Sequence, residues 1–262
     1  MTAEAALARL LLALADNKRL LGIRYSDWIL GAPSIEAAIA ASSMAQDEWG
    51  HSRLTYALLA DLGNDPRALE HERPAEAYAS WEGLDAAWPD WFDVLAANLL
   101  FDAALAESYA ALGAGGYGPA RSRIQKMLDE EAYHREHALG WVETLRRGTA
   151  VAVLRDRLTA WLPAVARWFG REEDPGWAEL RQRGWIGWGP EEMRARWLAT
   201  VAPALERVGV PGVEPRGGAW ALVAPLDWSG WDPTRRRAAP GGPDPDTLAR
   251  VRGDRNRALL VE

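Results

Sequence analysis

Cysteine is absent from the 262-residue chain. That excludes a disulfide framework, a thiolate metal site and a cysteine nucleophile, so any metal must be held by oxygen and imidazole. Imidazole is itself scarce, at four histidines. Lysine is scarcer still: only Lys18 and Lys126 are lysines among 30 basic residues, so a lysine marks a departure from the chain's habit of using arginine. Long apolar runs are missing as well. Leu10 to Ala15 is typical of the longest, far short of the roughly 18 to 20 residues a bilayer span needs, and no basic stretch precedes an apolar one at the start. The expectation is a protein neither embedded in a membrane nor secreted, hence cytoplasmic. Excess positive charge is lacking too. A formal charge of −7 argues against a surface built to contact phosphates, so no nucleic-acid partner is expected. What is present, 48% hydrophobic and 26% charged residues, is enough apolar material for a soluble globular core.

Period and punctuation predict four long helices in the first half. The first runs from about Ala3 to Leu30 and stops at Gly31-Ala32-Pro33. The second follows Ser34, a suitable N-cap, and ends at Gly63. After a polar stretch from Asn64 to about Asp85, a third covers about Pro89 to Leu112, stopped by a glycine cluster. The fourth spans about Ala120 to Arg147 and breaks at Gly148, with Thr149 placed to cap the next helix. At about 1.5 Å per residue each is roughly 36 to 45 Å long, which suits a bundle. Shorter helices are expected near Ala150 to Phe169, Trp177 to Arg183 and Glu191 to Val208. Val210 to Pro245 reads as an irregular wrapping segment, with a last helix near Asp246 to Arg252. The fold class is therefore all-α: a four-helix core over 1–148, with additional helices and a Pro/Gly-rich tail over 149–262 in the same domain. Ten of the fifteen tryptophans lie from Trp141 onward; they read as packing residues, with ligand stacking as the alternative.

Each long helix carries an apolar seam spaced by three and four residues, and each seam is interrupted at mid-length. The second reads Ala37, Ala41, Met44, Glu48, His51, Thr55, Leu58, Leu62. The fourth reads Ile124, Met127, Glu131, His134, Ala138, Trp141, Leu145. The third places Asp102 among Leu95, Leu99, Ala106 and Tyr109, and the first places Lys18 among Leu11, Leu14, Leu21 and Tyr25. Buried unpaired, such groups cost several kcal/mol each, and a metal is the simplest neutraliser. Glu-x-x-His puts both side chains on one helical face, and two such motifs with carboxylates from two further helices build the dimetal site of ferritin-like bundles. Glu107, Glu130 and Glu136 fall off the seams. His137 lies one turn beyond His134 and reads as a surface or supporting residue. Asp47 and Tyr133 flank the motifs, and His71 sits in the polar loop.

Ala15-Asp16-Asn17, Ser26-Asp27-Trp28 and Gln46-Asp47-Glu48-Trp49-Gly50-His51, with Leu100-Phe101-Asp102-Ala103-Ala104 and Glu130-Glu131-Ala132-Tyr133-His134, resemble the phenylacetic acid catabolism oxygenase family. That family includes the catalytic and structural subunits of phenylacetyl-CoA epoxidase. Gly140-Trp141-Val142-Glu143 and Arg147-Gly148-Thr149 look most like the structural subunit. The resemblance implies a ferritin-like fold and a two-iron site in the catalytic subunit. Glu48, His51, Asp102, Glu131 and His134 match five of its six ligand positions; the sixth falls on Lys18. Lys18 is thus the candidate for the chemically active substitution, either as an ammonium facing carboxylates, as a neutral ligand, or as one half of a simple core salt bridge. Three carboxylates with a protonated lysine carry a net charge of minus two, which balances one divalent ion.

The resemblance implies a metal-dependent monooxygenase component using iron, with manganese possible. Its partners would be an aromatic acyl-CoA substrate, a reductase, and a second copy or a paralogous oxygenase subunit. The alternatives are a non-catalytic scaffold with a degenerate site, and an iron-handling ferritin relative.

Overall fold

The computed structural model describes residues 1–254. The chain is all-α, a helical-bundle fold, with one short β-hairpin among the described residues. It divides into two compact units: Met1–Trp88 together with the segment from Ser229 onward, and Pro89–Trp228.

The first unit is built on α1 (Ala3–Asp27) and α2 (Ile35–Ala60), which pack along one another. Thr2 and Ser34 cap them, each side chain accepting the amide three residues on, from Ala5 and Ala37 at 3.2 Å. Close approach is made possible at Gly22, where a Cβ would stand 2.6 Å from the Trp49 ring. Ser52 bonds across to the Ala15 carbonyl at 3.1 Å. The seam residues Leu11, Leu14, Leu21 and Tyr25, and Ala41, Met44, Thr55 and Leu58, are buried as their spacing predicts. In the polar stretch lie a short helix, α3 (Pro66–His71), and two 3-10 turns. The unit closes with α9 (Pro245–Arg252) docked on α1 and α3, where Arg24 donates to Thr247 Oγ1 at 2.7 Å and Arg250 pairs with Asp27.

The second unit centres on α4 (Trp91–Ala114), 24 residues long and apolar enough by composition to cross a bilayer. Here that apolarity belongs to a core helix, since 78% of its most apolar stretch is buried. Asp90 starts it with a reciprocal capping box to Asp93. Its middle, Ala97–Asp102, widens into a π-helical turn, a feature that regular spacing cannot forecast. Around α4 pack α5 (Gly118–Leu145), α6 (Val151–Trp168) and α8 (Pro190–Val208), with α7 (Trp177–Gln182) before α8. Trp197 donates to the Leu100 carbonyl of the π turn at 2.9 Å, and Phe101, Trp168, Phe169 and Trp197 form a chain of edge-on and tilted aromatic contacts. These late tryptophans pack the unit's core. Two expectations change here. Thr149 does not cap α6, whose N-cap position is Ala150, with no side-chain cap bond. The segment from Val210 holds a hairpin, β1 (Val213–Arg216) against antiparallel β2 (Ala219–Leu222). Gly217 and Gly218, at φ of 60° and 87°, supply the two left-handed residues that a tight hairpin turn needs.

Candidate metal centre

In the first unit the seam positions of α1 and α2 bring Lys18 and Glu48 together. The Lys18 ammonium donates to Glu48 Oε1 at 2.9 Å, and neither side chain is exposed at all. His51 follows one turn along α2, buried on the same face, its carbonyl accepting from Thr55 Oγ1 at 2.7 Å. The neighbouring carboxylates of α1 are engaged elsewhere. Asp16 accepts from Tyr56, Arg73 and the Ala79 amide, while Asn17 bonds the Ala79 carbonyl and the Trp81 amide. The Asp-Asn pair thus ties the 73–81 loop to α1. Asp27 holds Arg250.

In the second unit Asp102 on α4 and Glu131 and His134 on α5 offer ligand atoms all within 4.8 Å of one another. His134 Nδ1 stands 2.9 Å from Asp102 Oδ2 and 3.7 Å from Glu131 Oε2. All three are buried. Beside this trio runs a second rung between the same helices. His137 Nδ1 meets Asn98 Oδ1 at 2.9 Å, and Trp141 Nε1 donates to His137 Nε2 at 3.1 Å. Burial, helped by the neighbouring His134, holds His137 down to a pKa of about 4. A cavity of about 180 Å³ reaches the trio, walled largely by Leu99, Ala103, Ala106, Leu128, Ala132 and Val201.

The donor set fits a divalent cation. Two buried carboxylates and a neutral imidazole would carry a charge of minus two among largely apolar walls, where it is costly to leave unbalanced. A single proton between His134 and Asp102 leaves that charge half compensated, whereas one divalent ion balances it. Oxygen and imidazole ligands suit iron or manganese. In the first unit the Lys18 ammonium offsets the Glu48 carboxylate.

Sequence comparison adds the family. The family model for phenylacetic acid catabolic proteins matches residues 1–216. The chain belongs to that family. The match takes in every residue of both groupings and leaves out only the segment after β1, whose part from Ser229 onward straps the first unit's own loops: Arg235 donates to the Tyr78 carbonyl at 3.0 Å, and Arg237 pairs with Asp85. No curated protein matches the sequence.

The residues set aside on sequence grounds lie away from the trio's ligand atoms. Glu107 accepts from Trp188 Nε1 at 2.8 Å and Arg196 at 3.0 Å, and burial raises its pKa. Glu130 pairs with Lys126 at 3.3 Å on the surface, and Glu136 and Tyr133 are exposed, while Asp47 is half-buried. His71 Nδ1 lies 3.1 Å from the Val251 carbonyl, where α9 docks. Asn98 is the residue that sequence reading missed. Its signal was present, since Asn98 and Asp102 are the only polar residues between Val94 and Ala106.

Proposed function

We propose that the chain is a subunit of a phenylacetyl-CoA-epoxidase-like multicomponent oxygenase acting on an aromatic CoA thioester. The supporting observation is the buried Asp102, Glu131 and His134 trio lining a largely apolar cavity in a chain of this family. A cavity near 180 Å³ has the size that admits a benzene ring, as apolar cavities of about 150 Å³ do. Metal bound at the trio would supply the activation of dioxygen, with electrons from a reductase. The protein's own residues do the rest. Asp102 and Glu131 would present negative charge to the ion, His134 a neutral nitrogen, and the alanine and leucine walls an apolar surface to the ring. In the first unit Lys18 neutralises Glu48, which leaves the trio as the seat of the ion. The centre is therefore a one-ion centre.

The Lys18–Glu48 pair favours a second reading, a scaffold subunit that stabilises a catalytic paralogue. The two separate by experiment. The catalytic reading expects anaerobically Fe(II)-loaded protein, given a reductase and phenylacetyl-CoA, to consume oxygen and release oxygenated thioester. Oxygen uptake at the level of protein without iron leaves the scaffold.

A further inference from the structure

Asp102 is the last link of a hydrogen-bonded series that starts at the half-buried indole of Trp141. Trp141 Nε1 donates to His137 Nε2 at 3.1 Å, His137 Nδ1 meets Asn98 Oδ1 at 2.9 Å, and Asn98 Nδ2 donates to Asp102 Oδ2 at 3.5 Å. We propose that Trp141 and His137, acting through Asn98, are positioning residues for Asp102. The direction of the series is dictated by chemistry. An indole nitrogen only donates, so His137 Nε2 must accept, and its single proton then sits on Nδ1 and points at Asn98. That fixes the Asn98 amide with its oxygen toward His137 and its NH₂ toward Asp102. Reversing the imidazole would set N–H against N–H at Trp141, and reversing the amide would set oxygen against carboxylate oxygen at Asp102. One arrangement satisfies every link.

The backbone supplies the register. Asn98 and Asp102 both lie in the π turn of α4, and their partners His137 and His134 lie three apart on α5, so the helices meet in two antiparallel rungs, Asn98 to His137 and Asp102 to His134. With Asn98 2% and Asp102 1% exposed, water is poorly placed to replace a lost donor. Asp102 Oδ2 is thereby held by Asn98 on one side while His134 Nδ1 meets it at 2.9 Å. Groups that orient a ligand in this way commonly change metal affinity by 10- to 100-fold.

The affinity consequence rests on the reading of Asp102 as a cation ligand; the tautomer consequence does not. Both are read on the full chain with ¹⁵N-labelled histidine, comparing wild type, W141F, H137F and H137Q. In metal-free wild type, His137 is expected as the pure Nδ1–H tautomer. In W141F it becomes a mixture and the His134 resonances shift as Asp102 loosens. Mn(II) binding weakens about 10- to 100-fold in W141F and H137F. H137Q keeps wild-type affinity, because its amide can donate to Asn98 and accept from Trp141, a rescue that simple packing would not give. A wild-type His137 bare at Nδ1, or W141F and H137F with unchanged His134 resonances, overturns the relay. Wild type that takes up no Mn(II) overturns the cation reading instead, and the relay stands or falls on the nitrogen resonances.

Discussion

Lys18 and Glu48 are a buried ion pair with no exposure on either side, and at this scale the cost of separating them exceeds the worth of having them. Lys18→Met leaves Glu48 charged, buried and uncompensated, which costs about 3–5 kcal/mol. Removing both, as in K18M/E48L, returns most of that loss, since an apolar pair of similar volume is often neutral or better. Urea unfolding of the two single variants and the double variant checks this, with a coupling energy near zero counting against it. Two further side chains contribute opposing terms to the acid response of the second unit. Burial lifts Asp93 to about 6 despite Arg157 beside it, so its contribution is full below about pH 4 and is lost as pH rises through 6. Burial pushes His137 down to about 4, so its contribution is full above about pH 6.5 and is lost as pH falls through 4. The two oppose each other over the same window. Relative to wild type, D93N loses stability on acidification from pH 6.5 to 4, and H137Q loses it on the way back up. Each effect is on the order of 2 kcal/mol, read from urea midpoints across that range. Charged residues on an apolar seam were legible from spacing alone, and Lys18, Glu48, Asp102, Glu131 and His134 are all buried. Which of them pair was not, because partner choice depends on helix contacts that the sequence does not state.

Helices were easier to read where capping chemistry is local and harder where tertiary contact decides. Ser34 caps α2 as spacing and hydroxyl chemistry predict. The π turn at Ala97–Asp102 has no signature of its own in an apolar run. The Val213–Leu222 hairpin was hidden because two four-residue strands give too short a pattern, although Gly217-Gly218 was a turn signal in plain view. Contact between α1 and α2 also turns on one position. Alanine at Gly22 gains about 1 kcal/mol of helix propensity but meets the Trp49 ring at 2.6 Å and the Ala45 carbonyl at 3.1 Å. Valine there adds further bulk against the same atoms, and Gly22→Val is expected to destabilise by about 1–3 kcal/mol through overpacking. Thermal unfolding followed by circular dichroism tests it; an unchanged or raised midpoint would show that the helices have room to spare.

At the scale of the whole molecule, the family, the all-α class and the mid-helix ionisable groups came from the sequence, while the division into units did not. Residues from Ser229 onward belong with the first 88, strapped there by Arg235 to the Tyr78 carbonyl, Arg237 to Asp85 and Arg250 to Asp27. Arginine-to-carbonyl and arginine-to-carboxylate contacts over such sequence distances leave no periodic trace. Charge, by contrast, can be counted in each unit separately. On the proposed reading, Lys18 and Glu48 offset one another in the first unit, and the two carboxylates and imidazole of the second would take one divalent ion. The measurement that tests this most directly is the metal content per chain, by elemental mass spectrometry, after anaerobic loading with Fe(II) and separately with Mn(II), for wild type and Lys18→Glu. The account predicts about one ion in wild type and about two in the variant, whose first unit then presents two carboxylates and His51 without an ammonium. Two ions in wild type, or none, would contradict it.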